Sequence, residues 1–222
     1  MRYFLDTASI EDIEYWQQFG LVHGVTTNPA ILSKETGKAL DHVRTVANMV
    51  NGPVSAQVTY RTSNEMIEQG HRLAKIADNI VVKIPSTLEG YKAAKELKEM
   101  GIPLNITLNF DPTQTIPFLM LNADYVSLIL GRLRDFYLDG SGNTSALEKL
   151  RNVMGSKTQI LLASIRNSHE LMESASSGAD AVTVPPTTWK NVYTNPLVLQ
   201  GENDFLSAWN TLSDDQRKEY EG

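Results

Sequence analysis

The sequence predicts an α/β protein: a single (β/α)8 (TIM) barrel over residues 1–222, with an extra C-terminal helix in a tail over about 202–222. Three observations predict it. Short β-branched runs alternate with longer segments of helical period, which is the pattern of parallel strands joined by crossover helices. Eight such runs fit into 222 residues, as units of roughly 25 residues with short connections, slightly below the usual barrel of about 250. No G-x-G-x-x-G fingerprint occurs, which disfavours the open doubly wound sheet that is the other arrangement of such units.

The expected strands are Tyr3–Leu5, Gly24–Thr26, Val54–Val58, Ile80–Ile84, Leu104–Thr107, Tyr125–Ile129, Gln159–Ala163 and Ala181–Val184. Each is short, rich in apolar or β-branched residues and bounded by polar residues, Gly or Pro. Between them, Ser63–Ala77 places Met66, Gly70, Leu73 and Ala77 at helical spacing, and Leu88–Met100 does so with Ala93, Leu97 and Met100. The tail from Asp204 to Glu219 reads as one helix. Its Phe205, Leu206, Trp209 and Leu212 need a partner, either the barrel itself or a neighbouring subunit. No internal repeat and no linker interrupts the chain.

Composition limits the function classes. Hydrophobic residues make up 41% and charged residues 21%, so a packed globular chain is expected rather than disorder. A net charge of -6 supplies no field for a nucleic-acid backbone or an anionic membrane. The opening "MRYFLDTASIEDIEYW" has no long apolar core, so neither a secretory signal nor a membrane span is expected, and the cytoplasm is the expected location. With no cysteine, disulfides, thiolate metal sites and a cysteine nucleophile are excluded. His23, His42, His71 and His169 have no H-x-H or H-E-x-x-H spacing, so a zinc site is not expected. Neither a G-x-S-x-G elbow nor a P-loop is present.

In a barrel, functional groups belong at the carboxyl ends of the strands. Polar residues fall there repeatedly: Asp6, Asn28 in "TTNP", Gln57 and Thr59, Lys83, Asn105 and Thr107, Ser127 with Arg132 and Arg134 beyond it, then Ser164 and Arg166. Each has a plainer reading. Asn28 before Pro29 also fits a helix N-cap, and Asp6 a cap in competition with Thr7 or Ser9. Gln57 and Asn105 also fit groups that satisfy buried backbone, and the arginines fit solvated surface charges. Their recurrence at seven strand ends favours a site.

Lys83 is the strongest single case. It interrupts "NIVVKIPST" among β-branched neighbours, where an ammonium group costs several kcal/mol unless it is paired or loses its proton. A neutral amine is a nucleophile, and desolvation of this kind makes Schiff-base lysines. The alternatives are a buried ion pair with Asp6 or an edge lysine that snorkels to solvent.

With these residues in hand, the chain resembles the transaldolase family, in particular the small transaldolases and their sister group, the fructose-6-phosphate aldolases. The motifs run nearly end to end: "YFLDTA", "HGVTTNPAIL", "VSAQVT", "NIVVKIPST", "GIPLNITL", "ADYVSLILGRL", "LLASIRN" and "GADAVTVP". The resemblance implies a Schiff base between Lys83 and the ketone carbon of a ketose phosphate such as sedoheptulose 7-phosphate or fructose 6-phosphate. Cleavage between C3 and C4 leaves a dihydroxyacetone unit on the lysine. Transaldolases pass it to an aldose phosphate, a step of the pentose phosphate pathway, and the aldolases release it. No metal or organic cofactor is implied.

By the same resemblance, Asp6 is the base for the C4 hydroxyl, and Gln57 with Thr107 holds the water used to dehydrate the carbinolamine. Asn28, Asn105 and Ser127 contact the substrate, and Arg132, Ser164 and Arg166 bind its phosphate. Rings of five subunits, often paired as decamers, are implied, with the terminal helix on a neighbour. Two residues depart from the transaldolase pattern: Gln57 stands where a glutamate is usual, as in the aldolases, and Ile129 stands where an aromatic is usual. Asn105, Thr107, Ser127 and Arg166 are the transaldolase choices, so a transaldolase is the reading. The alternatives are a fructose-6-phosphate aldolase and, more remotely, a non-catalytic sugar-phosphate-binding barrel.

Overall fold

The computed structural model describes residues 1–221 apart from 137, 139 and 141. Eight parallel strands close into a barrel in chain order: β1 (Arg2–Asp6), β2 (Gly24–Thr26), β3 (Val54–Gln57), β4 (Ile80–Pro85), β5 (Leu104–Asn109), β6 (Tyr125–Ile129), β7 (Gln159–Ala163) and β8 (Ala181–Val184). β8 pairs with β1 through Phe4 opposite Thr183, which closes the ring. All eight expected strands are present, with ends shifted by two residues at most. The largest shift is in β5, which runs past Thr107 through Leu108, where φ is +63°, and its register against β6 slips between Ile106 and Asn109. An extra residue at a strand end bends the chain and re-aims its side chains.

Helices wrap the barrel: α1 (Ile10–Gln17), α2 (Pro29–Leu32), α3 (Ala39–Met49), α4 (Ser63–Ala74), α5 (Leu88–Glu99), α6 (Ile116–Met120), α7 (Gly131–Asp135), α8 (Asn143–Val153), α9 (Ser168–Ala175), α10 (Pro186–Tyr193), α11 (Pro196–Asn210) and α12 (Asp214–Glu221). The stripes of α4 and α5 are buried at Met66, Gly70, Leu73, Ala93 and Leu97, as their spacing predicts. Ala77 and Met100 fall beyond the helix ends. Strand four is stopped by Pro85, and Thr87 then caps α5 by accepting from the Gly90 amide at 2.9 Å. Gly90 has to be glycine, since a Cβ there would lie 2.0 Å from the Pro85 carbonyl oxygen.

Two apolar regions result. The larger lies between strands and helices and includes Leu5, Val25, Val82, Ile106, Leu162 and Trp189. The smaller lies inside the barrel, where Phe4, Val81, Tyr125, Leu161 and Ala181 from five strands meet as one cluster. The Phe4 and Tyr125 rings pack edge to face, 5.9 Å apart, although β1 and β6 are not neighbours in the sheet. The Arg2 guanidinium lies 5.7 Å from each ring, at the amino-terminal end of the barrel.

The tail differs from the single helix expected from Asp204 to Glu219. Asn195 caps α11 by accepting from the Leu197 amide at 2.9 Å, so the helix starts earlier, and a break after Asn210 separates α12. Trp209 packs on Tyr220, which turns α12 back along α11. No residue of α11 is buried, and Phe205 is 77% exposed. Phe205 and Leu206 are therefore left uncovered, while Trp209 and Leu212 are half-buried.

Candidate active site

Side chains alternate across a strand, so the residues two positions beyond the internal apolar cluster also point inward. They are Asp6 on β1, Lys83 on β4, Ser127 on β6, Ala163 on β7 and Thr183 on β8. β4 sets Lys83 in register with Gln57 on one side and Asn105 on the other. Asp6 lies opposite Thr26 on β2. Thus the strands direct Asp6, Gln57, Lys83, Asn105 and Ser127, five of the residues that the sequence singles out, towards the barrel interior.

Lys83 is 8% exposed and donates to the Thr27 carbonyl at 3.2 Å. Burial pushes its ammonium below the ordinary value of 10.5, and the Arg132 charge adds to this while Asp6 opposes it. Asp6 is shifted the other way: burial raises its carboxyl above the ordinary range, against the charges of Lys83 and Lys34 and a bond from Thr26. Among the described residues, no ion pair within 4.0 Å joins Lys83 to Asp6. The lysine is neither a surface snorkel nor one half of a tight salt bridge. It is a desolvated amine with a carboxyl near by.

Two hydrogen-bonded chains flank it. On one side Thr26 donates to Asp6 Oδ1 at 2.8 Å and lies 2.6 Å from the Thr183 hydroxyl. On the other, Ser127 donates to Asn105 Oδ1 at 2.6 Å, and the Asn105 amide donates to Ser55 at 3.0 Å. Asn105 thus binds side chains rather than buried backbone. Thr107 is buried at the end of β5, opposite Pro85, and Gln57 is half-buried beside Lys83. Ile129 is buried at the end of β6.

Competing roles sort out by geometry. Ser9, not Asp6, caps α1 by accepting from the Asp12 amide at 3.1 Å. Asn28 does cap α2, accepting from the Ile31 amide at 3.1 Å, which leaves its side-chain NH2 for other partners. Thr59 lies outside β3 and bonds Gln69, away from the barrel interior. Arg134 is held by Glu170 at 2.8 Å and Glu173 at 2.6 Å, so it serves α9 rather than the site.

A second cluster forms where β6 and β7 end. Ser164 adopts φ of +66°, and a Cβ on Gly131 would lie 2.0 Å from its carbonyl oxygen, so the two loops touch through backbone. A non-glycine residue in this region carries strain that the surroundings must hold. The Arg166 side chain lies over Gly131 and makes a two-pronged pair with Asp135, at 2.9 and 2.8 Å. Arg132 and Arg166 are exposed, and Ser164 is half-buried.

A groove of about 1220 Å³ opens from Asp6 and runs outward between α1 and α10, past Tyr15, Phe19, Lys34, Lys190 and Tyr193. It touches the Lys83 site only at Asp6. Among the described residues, no three His, Asp or Glu side chains are placed to hold a metal ion, and no helix is long and apolar enough to cross a membrane. Sequence reading missed Thr26, Ser55 and Thr183 as members of the site. Their inward phase follows from the barrel, two residues from Gly24, Gln57 and Ala181 along the same strands.

Lys83 and Asp6 lie inside an eight-stranded parallel barrel towards its carboxyl end, the end at which barrel enzymes carry their active sites. A family model described as Transaldolase/Fructose-6-phosphate aldolase matches residues 3–220, and the chain belongs to that family. It is 41% identical to a probable transaldolase of Geobacillus thermodenitrificans, over 95% of this chain and 99% of the relative. It is 40% identical to a probable transaldolase of Lactiplantibacillus plantarum, over 98% and 100%. A probable transaldolase of the archaeon Nitrosopumilus maritimus is 39% identical, over 94% and 95%. The function is accordingly of the transaldolase type.

Proposed function

We propose that this chain is a cofactor-independent transaldolase that carries a dihydroxyacetone unit on Lys83 between sugar phosphates. Neutral Lys83 adds to the C2 carbonyl of sedoheptulose 7-phosphate or fructose 6-phosphate. A water held by Gln57 and Thr107 relays the proton that lets hydroxide leave as water, giving the protonated imine. Asp6 takes the C4 hydroxyl proton, the C4–O bond becomes a carbonyl, and the C3–C4 bonding pair moves into the imine to form an enamine. The aldose phosphate leaves. The enamine then attacks the acceptor aldehyde, Asp6 returns the proton, and water frees the product ketose.

The single observation behind this reading is the desolvated amine of Lys83 in register with Gln57 and Asn105, inside a chain of this family. Asn28, Asn105 and Ser127 would bond substrate hydroxyls. Arg132, Ser164 and Arg166 would hold the phosphate, for which a guanidinium fork is suited. The exposed apolar side chains of α11 favour packing on a second copy of the chain, in the pentamer or decamer that the family resemblance implies. A place in the pentose phosphate pathway follows from the substrates.

Release of glyceraldehyde 3-phosphate from fructose 6-phosphate, with and without erythrose 4-phosphate, tests the transfer. Sustained release only with the acceptor is expected. Equal release without it would make the chain a fructose-6-phosphate aldolase, a reading that Gln57 favours because, by the resemblance, transaldolases carry glutamate there. Sugar-phosphate binding with no imine would leave a non-catalytic barrel.

A further inference from the structure

We propose that Thr183 on β8 is a positioning residue for Asp6, acting through Thr26 as the far end of a two-hydroxyl relay. This rests on the role of Asp6 as the base. Thr183 is 2% exposed, between Val182 and Val184 in a strand where an apolar residue would pack without penalty. A hydroxyl there is costly unless bonded, and its partner is Thr26, at 2.6 Å. Thr26 is itself 1% exposed and has one proton, which it donates to Asp6 Oδ1 at 2.8 Å. Thr183 must therefore donate to Thr26. An ionised Asp6 fixes the direction of the whole chain, because a carboxylate only accepts.

Two consequences follow. With Oδ1 held by Thr26, Oδ2 is the oxygen left to take the C4 proton, so the relay selects the reacting atom. Donation by Thr183 also polarises the Thr26 hydroxyl and strengthens its bond to the carboxylate, which favours the ionised base. The relay spans β8, β2 and β1, strands that the barrel brings together only on closure. Other charges face Asp6 as well. They are Lys83 from β4 and Lys34 after α2, with Asp12 of α1, Glu35 and Lys190 of α10 along the adjoining groove. None of them touches the Thr183 hydroxyl.

The test compares Thr183→Val, which keeps the shape and removes the hydroxyl, with Thr183→Ser, which keeps the hydroxyl. Three quantities are read in each: the borohydride-trapped adduct with fructose 6-phosphate, the pH dependence of C3–C4 cleavage, and the Asp6 carboxyl titration by ¹³C NMR. Thr183→Val should form the adduct at the wild-type level and cleave roughly tenfold more slowly, with the acid limb and the Asp6 titration both moved to higher pH. Thr183→Ser should restore all three. An unchanged Asp6 titration in Thr183→Val overturns the relay. So does an equal loss of adduct and cleavage in both variants, which would mean a structural role only. Absence of adduct in the wild type would instead sink the Lys83 mechanism, while the Asp6 titration still decides the relay.

Discussion

The lower and upper halves of the barrel interior are built on the same inward-facing positions and carry opposite chemistry. Along β1, β4, β6 and β8 the inward residue changes from Phe4 to Asp6, from Val81 to Lys83, from Tyr125 to Ser127 and from Ala181 to Thr183, while β7 stays apolar from Leu161 to Ala163. One step of the strand period, two residues, separates a dry plug from a polar site. The plug gains from burial. The upper layer loses stability by burying an amine and a carboxyl, and in the proposed reaction that desolvation is what makes Lys83 a nucleophile.

Substitutions across this boundary should therefore separate activity from stability. Lys83→Met should abolish turnover, by more than about a thousandfold, since the covalent carrier is gone. It should also leave the fold as stable as before or more so, because an apolar chain replaces a buried amine. Residual turnover within tenfold of wild type would remove Lys83 from the chemistry. Asp6→Asn should still form the imine but cleave it roughly 10²- to 10⁴-fold more slowly, as read by single-turnover release of the aldose phosphate. Normal cleavage would place the base elsewhere.

In the lower half the pattern should reverse. Phe4→Ala should lower unfolding free energy by about 3–5 kcal/mol, read from denaturant midpoints, while activity per folded molecule changes little. A comparable loss of activity would mean that the plug sets the geometry of Asp6, two residues on.

The smallest effect concerns pH. Because the folded pKa of Lys83 lies below its unfolded value of 10.5, the unfolded state binds more protons between the two. Stability should rise with pH through that window, by up to about 1.4 kcal/mol per unit. It should be lost as pH falls through the same window. Lys83→Met should flatten this slope on the acid side of pH 10.5 in urea titrations; an identical slope in both proteins would mean that Lys83 keeps its proton.

Much of this was legible in the sequence because strands of a closed parallel barrel are short, apolar and separated by helices of regular period. Lys83 stood out because a charge in "NIVVKIPST" contradicts its surroundings. Thr26 and Thr183 did not, since threonine is an ordinary strand residue and its inward phase shows only once the barrel closes. The pairing of Arg166 with Asp135 was invisible for a similar reason: the two residues are 31 positions apart and meet through the Gly131–Ser164 contact. The tail was read as one helix because the apolar spacing around Phe205 and Trp209 carries no mark of the break after Asn210. Asn195 and Pro196, a cap and a proline at the first turn, held the signal for its true start.

The central claim is that the upper half of the barrel works through a covalent carrier at Lys83. Reduction with borohydride in the presence of fructose 6-phosphate, followed by peptide mass mapping, tests it most directly. A reduced dihydroxyacetone or hexose phosphate adduct is expected on the peptide that contains Lys83 and on no other. An adduct on a different lysine, or turnover with no adduct at all, would contradict it.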